Sequence, residues 1–141
     1  MGLTYTTATV EAVDRGEPPL EAPPLEARFL VNTGAIDCLL GGSLLHQPGI
    51  EPEGTDVYEL ADGETKEMSY GWARITFLST VAIVKVIFGP DGVEPILGVI
   101  ALESAGVAVD PVTRTLKRAV TRHLKKARGS VGADPARGTG G

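Results

Sequence analysis

A chain of 141 residues has room for one domain with an appendage. Hydrophobic residues at 43% and charged residues at 22% fit a folded globular body, Gly 18 and Pro 10 argue against a helical bundle, and the lone Cys38 excludes an intramolecular disulfide or a multi-cysteine metal site. The net charge of −5 conceals an asymmetry: residues 1–110 carry 5 basic against 17 acidic side chains (−12), whereas residues 111–141 carry 8 against 1 (+7).

No apolar run reaches the roughly 18 residues of a membrane helix. His46 and His123, the two histidines, argue against a histidine zinc centre, and no metal or organic cofactor is expected. The stretch Met1–Val13 lacks the zones of a secretion signal, so a cytoplasmic location is expected.

In chain order, Leu3–Val13 is rich in Thr, Val and Tyr and predicts a strand. Glu17–Ala27 reads EPPLEAPPLEA. Its prolines exclude a helix or central strand and predict an exposed loop. Arg28–Val31 predicts a short strand that runs into Asn32-Thr33-Gly34-Ala35, and Ile36–Leu40 resumes as a buried strand. Ser43 is the expected N-cap of a helical turn over Leu44–Gln47. Asp56–Leu60 and Lys66–Phe77 predict strands joined by the turn Ala61-Asp62-Gly63, with Gly71 marking a bulge or bend. Thr80–Phe88 reads as a central strand and Gly89–Gly92 as a turn. Pro95–Val99 is expected as a short strand, Ile100–Ala105 as a brief helix capped by Gly106, and Val107–Val109 and Thr115–Lys117 as a closing strand pair. Leu116, Val120, Leu124 and Ala127 recur at helical spacing, which predicts a basic helix over 118–128; residues 129–141 are Gly-rich and predict disorder. The expected architecture is all-β: a small closed barrel over residues 1–117, with one or two short helices.

The informative segment is Phe29-Leu30-Val31-Asn32-Thr33-Gly34-Ala35, in which an apolar strand delivers a polar residue into a Thr-Gly turn. Some sixty residues later Ile96-Leu97-Gly98 precedes a short helix, and between the two lies the hairpin Asp56–Trp72. This combination resembles the retropepsin-like aspartic proteases, whose signature is an apolar lead into Asp-Thr-Gly-Ala or Asp-Ser-Gly-Ala, a later apolar-apolar-Gly, and an intervening flap hairpin. The ending GVIALESAGVAVDP resembles the bacterial single-domain branch. The resemblance covers roughly residues 3–117. It implies a retropepsin-like barrel, a homodimer contributing one residue 32 per subunit, and an extended peptide substrate held between flap and dyad. It places Asn32, Thr33 and Gly34 at the catalytic loop. It places Ala35, Asp37, Ala61, Asp62, Gly63, Trp72 and Ile96 against substrate.

The chain departs from the family where the chemistry is done, because Asn32 occupies the position of the catalytic aspartate. Two close carboxylates share one proton; the ionised member activates a water and the protonated one donates to the scissile carbonyl. An amide cannot take that proton at neutral pH. The chain is therefore expected to be an inactive form of an aspartic endopeptidase. Two origins fit: an engineered knock-out, which the intact remainder of the signature favours, or a natural pseudo-protease that binds peptides or dimerises without hydrolysis. Ile36 stands where viral members carry an acidic residue, which removes one acceptor. Cys38 reads as a small buried apolar residue, not a nucleophile, and His46 as a surface residue. The basic segment 114–128 has no aromatic residue for base stacking, so nucleic acid is not the expected partner.

Overall fold

The computed structural model describes residues 3–13, 22–60 and 62–118. The predicted basic helix from residue 119 onward, the Gly-rich tail and Ala61 lie outside them.

The described chain is mostly β. Its strands are β1 (Tyr5–Ala12), β2 (Leu25–Val31), β3 (Cys38–Gly41), β4 (Gly54–Glu59), β5 (Thr65–Phe77), β6 (Thr80–Gly89) and β7 (Ile96–Leu97), with a separate pair β8 (Val107–Val109) and β9 (Leu116–Arg118). Two short helices interrupt them, α1 (Gly42–His46) and α2 (Val99–Ala105). Seven strands form one sheet in the order β1-β2-β7-β3-β6-β5-β4, and β1 also pairs with β5. That extra pairing turns the sheet into a ring, and β4 is left outside it on a hairpin with the first half of β5.

The ring forms because its strands alternate. Ala8 and Val10, Phe29, Cys38 and Leu40, Ala73, Ile75 and Phe77, Ala82, Val84 and Val86, and Leu97 all point inward and are buried. Leu45 from α1, Ala101 and Leu102 from α2, and Val107 from β8 join the same core. Helix α2 stops at Gly106, whose left-handed backbone (φ 71°, ψ 38°) lets its N–H bond back to the helix.

Several expectations are revised. Strand β2 begins at Leu25, inside the proline-rich stretch read as a loop, because antiparallel pairing with β1 from Val10↔Leu25 to Tyr5↔Leu30 captures it. Helix α1 is capped differently: its N-cap is Gly41, with no side-chain cap bond, and the Ser43 N–H instead donates to Asp91 Oδ1 (3.2 Å) from the 89–92 turn. The Ser43 hydroxyl and N–H together hold the Asp91 carboxyl below its ordinary range. Gly71 marks no bulge in the β5–β6 ladder, which runs unbroken from Tyr70↔Ile87 to Phe77↔Thr80. It sits where β5 exchanges β4 for β1 as its neighbour, and a Cβ there would lie 2.8 Å from the Glu51 carbonyl oxygen. Strand β7 is shorter than predicted, because Val99 already belongs to α2.

Candidate functional site

Strand β7 lies between β2 and β3, parallel to the first (Leu30↔Ile96, Val31↔Leu97) and antiparallel to the second (Leu39↔Ile96). The link from β2 to β3, residues 32–37, must therefore arch over the end of β7, spanning about 10 Å, two strand spacings. The crossing is held mainly by backbone, and the Gly98 N–H also donates to the Cys38 sulfur. The Asn32 N–H donates to Leu97 O (3.0 Å), the Ala35 N–H to Asn32 O (3.0 Å), the Val99 N–H to Ala35 O (2.8 Å) and the Ile100 N–H to Ile36 O (3.2 Å). Gly98 is backed against the arch so closely that a Cβ would meet Asp37 O at 2.5 Å and Ile36 O at 2.6 Å. The sequence's two signature pieces, Asn-Thr-Gly-Ala and Ile-Leu-Gly, are thus one structural unit.

The Asn32 side chain accepts the Gly34 N–H at Oδ1 (2.9 Å), an Asx-type turn that fixes its amide. Asn32, Thr33 and Gly34 are all exposed at the crest of the arch, and Ala35 is half-buried. Ile36 is 66% exposed, an unusual place for a large apolar side chain. Cys38, directly below, is buried; loss of solvent pushes its thiol up to about 11. It is inert packing, as its sequence context indicated.

The register also defines what lies on the sheet face away from the core. Ile96 stands opposite Leu39, Leu39 opposite Ile87, and Ile87 opposite Tyr70. Residues paired across neighbouring strands point the same way, so these four make a half-buried, largely apolar row from the arch to the base of the β4–β5 hairpin. On the same face Lys85 stands opposite Trp72, and Asp56 and Tyr58 occupy alternate positions of β4. The Lys85 ammonium contacts Asp56 Oδ2 (3.3 Å) and covers the Tyr70 ring (4.5 Å to the centroid). Asp37 completes this group. Burial raises its carboxyl above the ordinary range, with Lys85 opposing and Asp56 reinforcing the shift. The Tyr58 phenol is likewise raised by burial, and its oxygen is buried without a hydrogen-bond partner.

The predicted site residues fall into three places. Asn32, Thr33, Gly34, Ala35 and Asp37 share the arch, and Ile96 lies beneath it at the head of the apolar row. Asp62 and Gly63 form the hairpin tip. There Asp62 Oδ1 accepts the Glu64 N–H (3.0 Å), and Gly63 takes a positive φ (88°), so both serve the turn. Trp72 is 40% exposed on the outer face of β5, beyond the base of the hairpin. Sequence reading missed Leu39, Ile87, Tyr70, Tyr58, Asp56 and Lys85. Strand β6 is apolar on both faces, with Val81 and Ile83 exposed opposite the buried Ala82 and Val84. Its alternation therefore carried no signal of which side met solvent. Lys85, the one charged residue in that strand, was the available clue.

Among the described residues no group of three or more His, Cys, Asp or Glu could hold a metal ion, and no helix is long and apolar enough to cross a membrane. No family model and no curated protein matches the chain.

Proposed function

We propose that the chain is one half of a retropepsin-like aspartic peptidase site, completed by a second copy, and that Asn32 makes this form bind peptide without hydrolysing it. The observation that supports the reading most is the arch: an exposed Asn-Thr-Gly turn carried over the end of an Ile-Leu-Gly strand, tied to it and the start of α2 by three backbone hydrogen bonds and closed on itself by a fourth. Such a turn holds a side chain at residue 32 in one place whatever its ionisation. Residue 32 and its symmetry mate supply the two groups of the dyad. The apolar row Ile96–Leu39–Ile87–Tyr70 supplies a floor for an extended chain, and the β4–β5 hairpin supplies its cover.

In this reading the chemistry is general acid–base hydrolysis with no covalent intermediate. An aspartate dyad holding one proton activates water with its ionised member and protonates the scissile carbonyl with the other. Two amides keep the geometry but offer NH₂ donors where a proton acceptor is needed.

The test is Asn32→Asp. The parent and the variant are incubated with a diverse peptide library from about pH 4 to 8, a range that brackets titration of a carboxylate pair, and products are read by mass spectrometry. Cleavage is expected from the variant alone. It should be strongest in mildly acid solution, where the pair holds one proton, and should be blocked by statine-type analogues of the tetrahedral intermediate but not by chelators or thiol reagents. Sedimentation at micromolar concentration should show a dimer. A variant that dimerises yet cleaves nothing in this range leaves the peptide-binding module as the function; a strict monomer removes the peptidase reading.

A further inference from the structure

The outer half of the β4–β5 hairpin has little to rest on. The β5–β6 ladder stops at Tyr70↔Ile87, and β1 pairs with β5 only over Ala73–Thr76, so residues 65–69 of β5 pair with β4 alone. A two-stranded hairpin is marginal by itself in water. Its angle to the ring must be set by side chains at its base, and these are the group around Lys85.

Two groups contact the Lys85 ammonium, Asp56 from β4 at 3.3 Å and the Tyr70 ring from β5 at 4.5 Å to its centroid. Asp37 of the arch directly precedes Cys38, which pairs with Val86 in the parallel β3–β6 ladder, so it stands beside Lys85 in register, and Tyr58 lies two residues along β4 from Asp56. Lys85 itself stands on β6, part of the closed ring, and its side chain is 27% exposed. The charge balance decides its role. Asp37 on the arch and Asp56 on the hairpin repel one another, and each raises the proton affinity of the Tyr58 phenol. The ammonium offsets both carboxylates at once. Without it, arch and hairpin present like charges across a partly desolvated gap.

We propose that Lys85 is a positioning residue: by neutralising Asp37 on the arch and Asp56 on the hairpin together, its ammonium holds the β4–β5 hairpin down toward the residue 32–37 arch. It acts on the cover of the site and touches no reacting atom. Its consequence for substrate rests on the peptidase reading above; its effect on the hairpin does not.

Hydrogen exchange read by mass spectrometry on the full Asn32 chain tests the hairpin directly, since it needs no catalysis. Lys85→Met keeps most of the apolar stem and removes the charge. It should speed exchange of β4 and the hairpin tip by about fivefold, the scale of a part-exposed ion pair plus a cation–π contact, and leave β1 and β2 unchanged. Lys85→Arg should match the parent. Asp37→Asn added to Lys85→Met should recover most of the protection, because it removes the repulsion that Lys85 had masked. Asp56→Asn alone removes pair and repulsion together and should stay within about twofold of the parent. Equal exchange in parent and Lys85→Met overturns the proposal, as does acceleration spread over the whole ring or an Asp56→Asn effect as large as that of Lys85→Met. In the Asn32→Asp background, Lys85→Met should raise KM several-fold and leave kcat within about twofold. Absence of cleavage in that background counts against the peptidase reading, while the exchange data decide the role of Lys85.

Discussion

Substituting alanine for Gly98 strikes the contact that joins the arch to β7. The backbone at Gly98 (φ −88°, ψ 176°) is one that alanine adopts freely, so the substitution acts through space and not through φ. The added Cβ would lie 2.5 Å from Asp37 O and 2.6 Å from Ile36 O. Ordinary carbon–oxygen contact begins near 3.2–3.4 Å, so the arch must retreat by about 0.8 Å. That retreat pulls on the bonds from Val99 N–H to Ala35 O (2.8 Å) and from Ile100 N–H to Ile36 O (3.2 Å). Overpacking at a rigid contact costs about 1–3 kcal/mol and a weakened hydrogen bond about 1 kcal/mol more. The smaller unfolded-state entropy of alanine returns about 0.5–1 kcal/mol. The net loss is about 1–3.5 kcal/mol, centred near 2, which for a body of this size lowers Tm by about 8 °C. Thermal unfolding followed by circular dichroism measures it. Gly92→Ala is the internal comparison. That glycine has φ 86° and open space around it, so it bears only a left-handed backbone penalty of about 1 kcal/mol, or about 4 °C. A Gly98→Ala midpoint within 2 °C of the parent, or a loss smaller than that of Gly92→Ala, would refute the close backing of the arch.

Two further outcomes follow from burial beneath the arch. Cys38, buried and with its thiol raised to about 11, should resist a water-soluble disulfide reagent at pH 8 in the native state and react stoichiometrically once denaturant unfolds the chain; rapid native labelling would contradict its place in the core. Asp37 has a folded pKa above its unfolded value, so its contribution is fully present below the unfolded pKa and is lost as pH rises through the folded one. Asp37→Asn should therefore raise Tm at pH 7, with the gain shrinking toward pH 3; a gain that grows in acid would reverse the sign assigned to its burial.

Much of the ring was legible because its strands bury one face. Ala8 and Val10 in β1, and Ala73, Ile75 and Phe77 in β5, recur at a spacing of two, and Gly106 ends α2 where its left-handed backbone favours a glycine. The misreadings come where tertiary pairing outweighs local preference. Two prolines at 23–24 did not stop β2 from starting at Leu25, since β1 offers it six paired positions. Ser43 lost its capping role to Asp91, 48 residues away. The arch was visible as a motif because its chemistry is contiguous in sequence. The Lys85 group was not, because its members come from the arch, β4, β5 and β6 and meet only through the register of paired strands.

In the proposed peptidase reading, the arch is where binding and hydrolysis part company. Asn32 Oδ1 is already committed to the Gly34 N–H, so the rest of the amide, Nδ2, is the end left to face outward from the turn. An aspartate at 32 can place one carboxylate oxygen on the same N–H, where a charged acceptor bonds more strongly than an amide oxygen. Its second oxygen then takes the position of Nδ2. The backbone, the Gly34 contact and the Gly98 backing need not change. Between the two residues a single outward atom switches from donor to acceptor, and the capacity to take a proton from water goes with it. A fold that fixes residue 32 through backbone bonds and one side-chain oxygen can therefore carry either residue on the same backbone. In the proposed peptidase reading, activity turns on this one atom, and peptide binding on the row from Ile96 to Tyr70 and on the hairpin that Lys85 is proposed to hold over it.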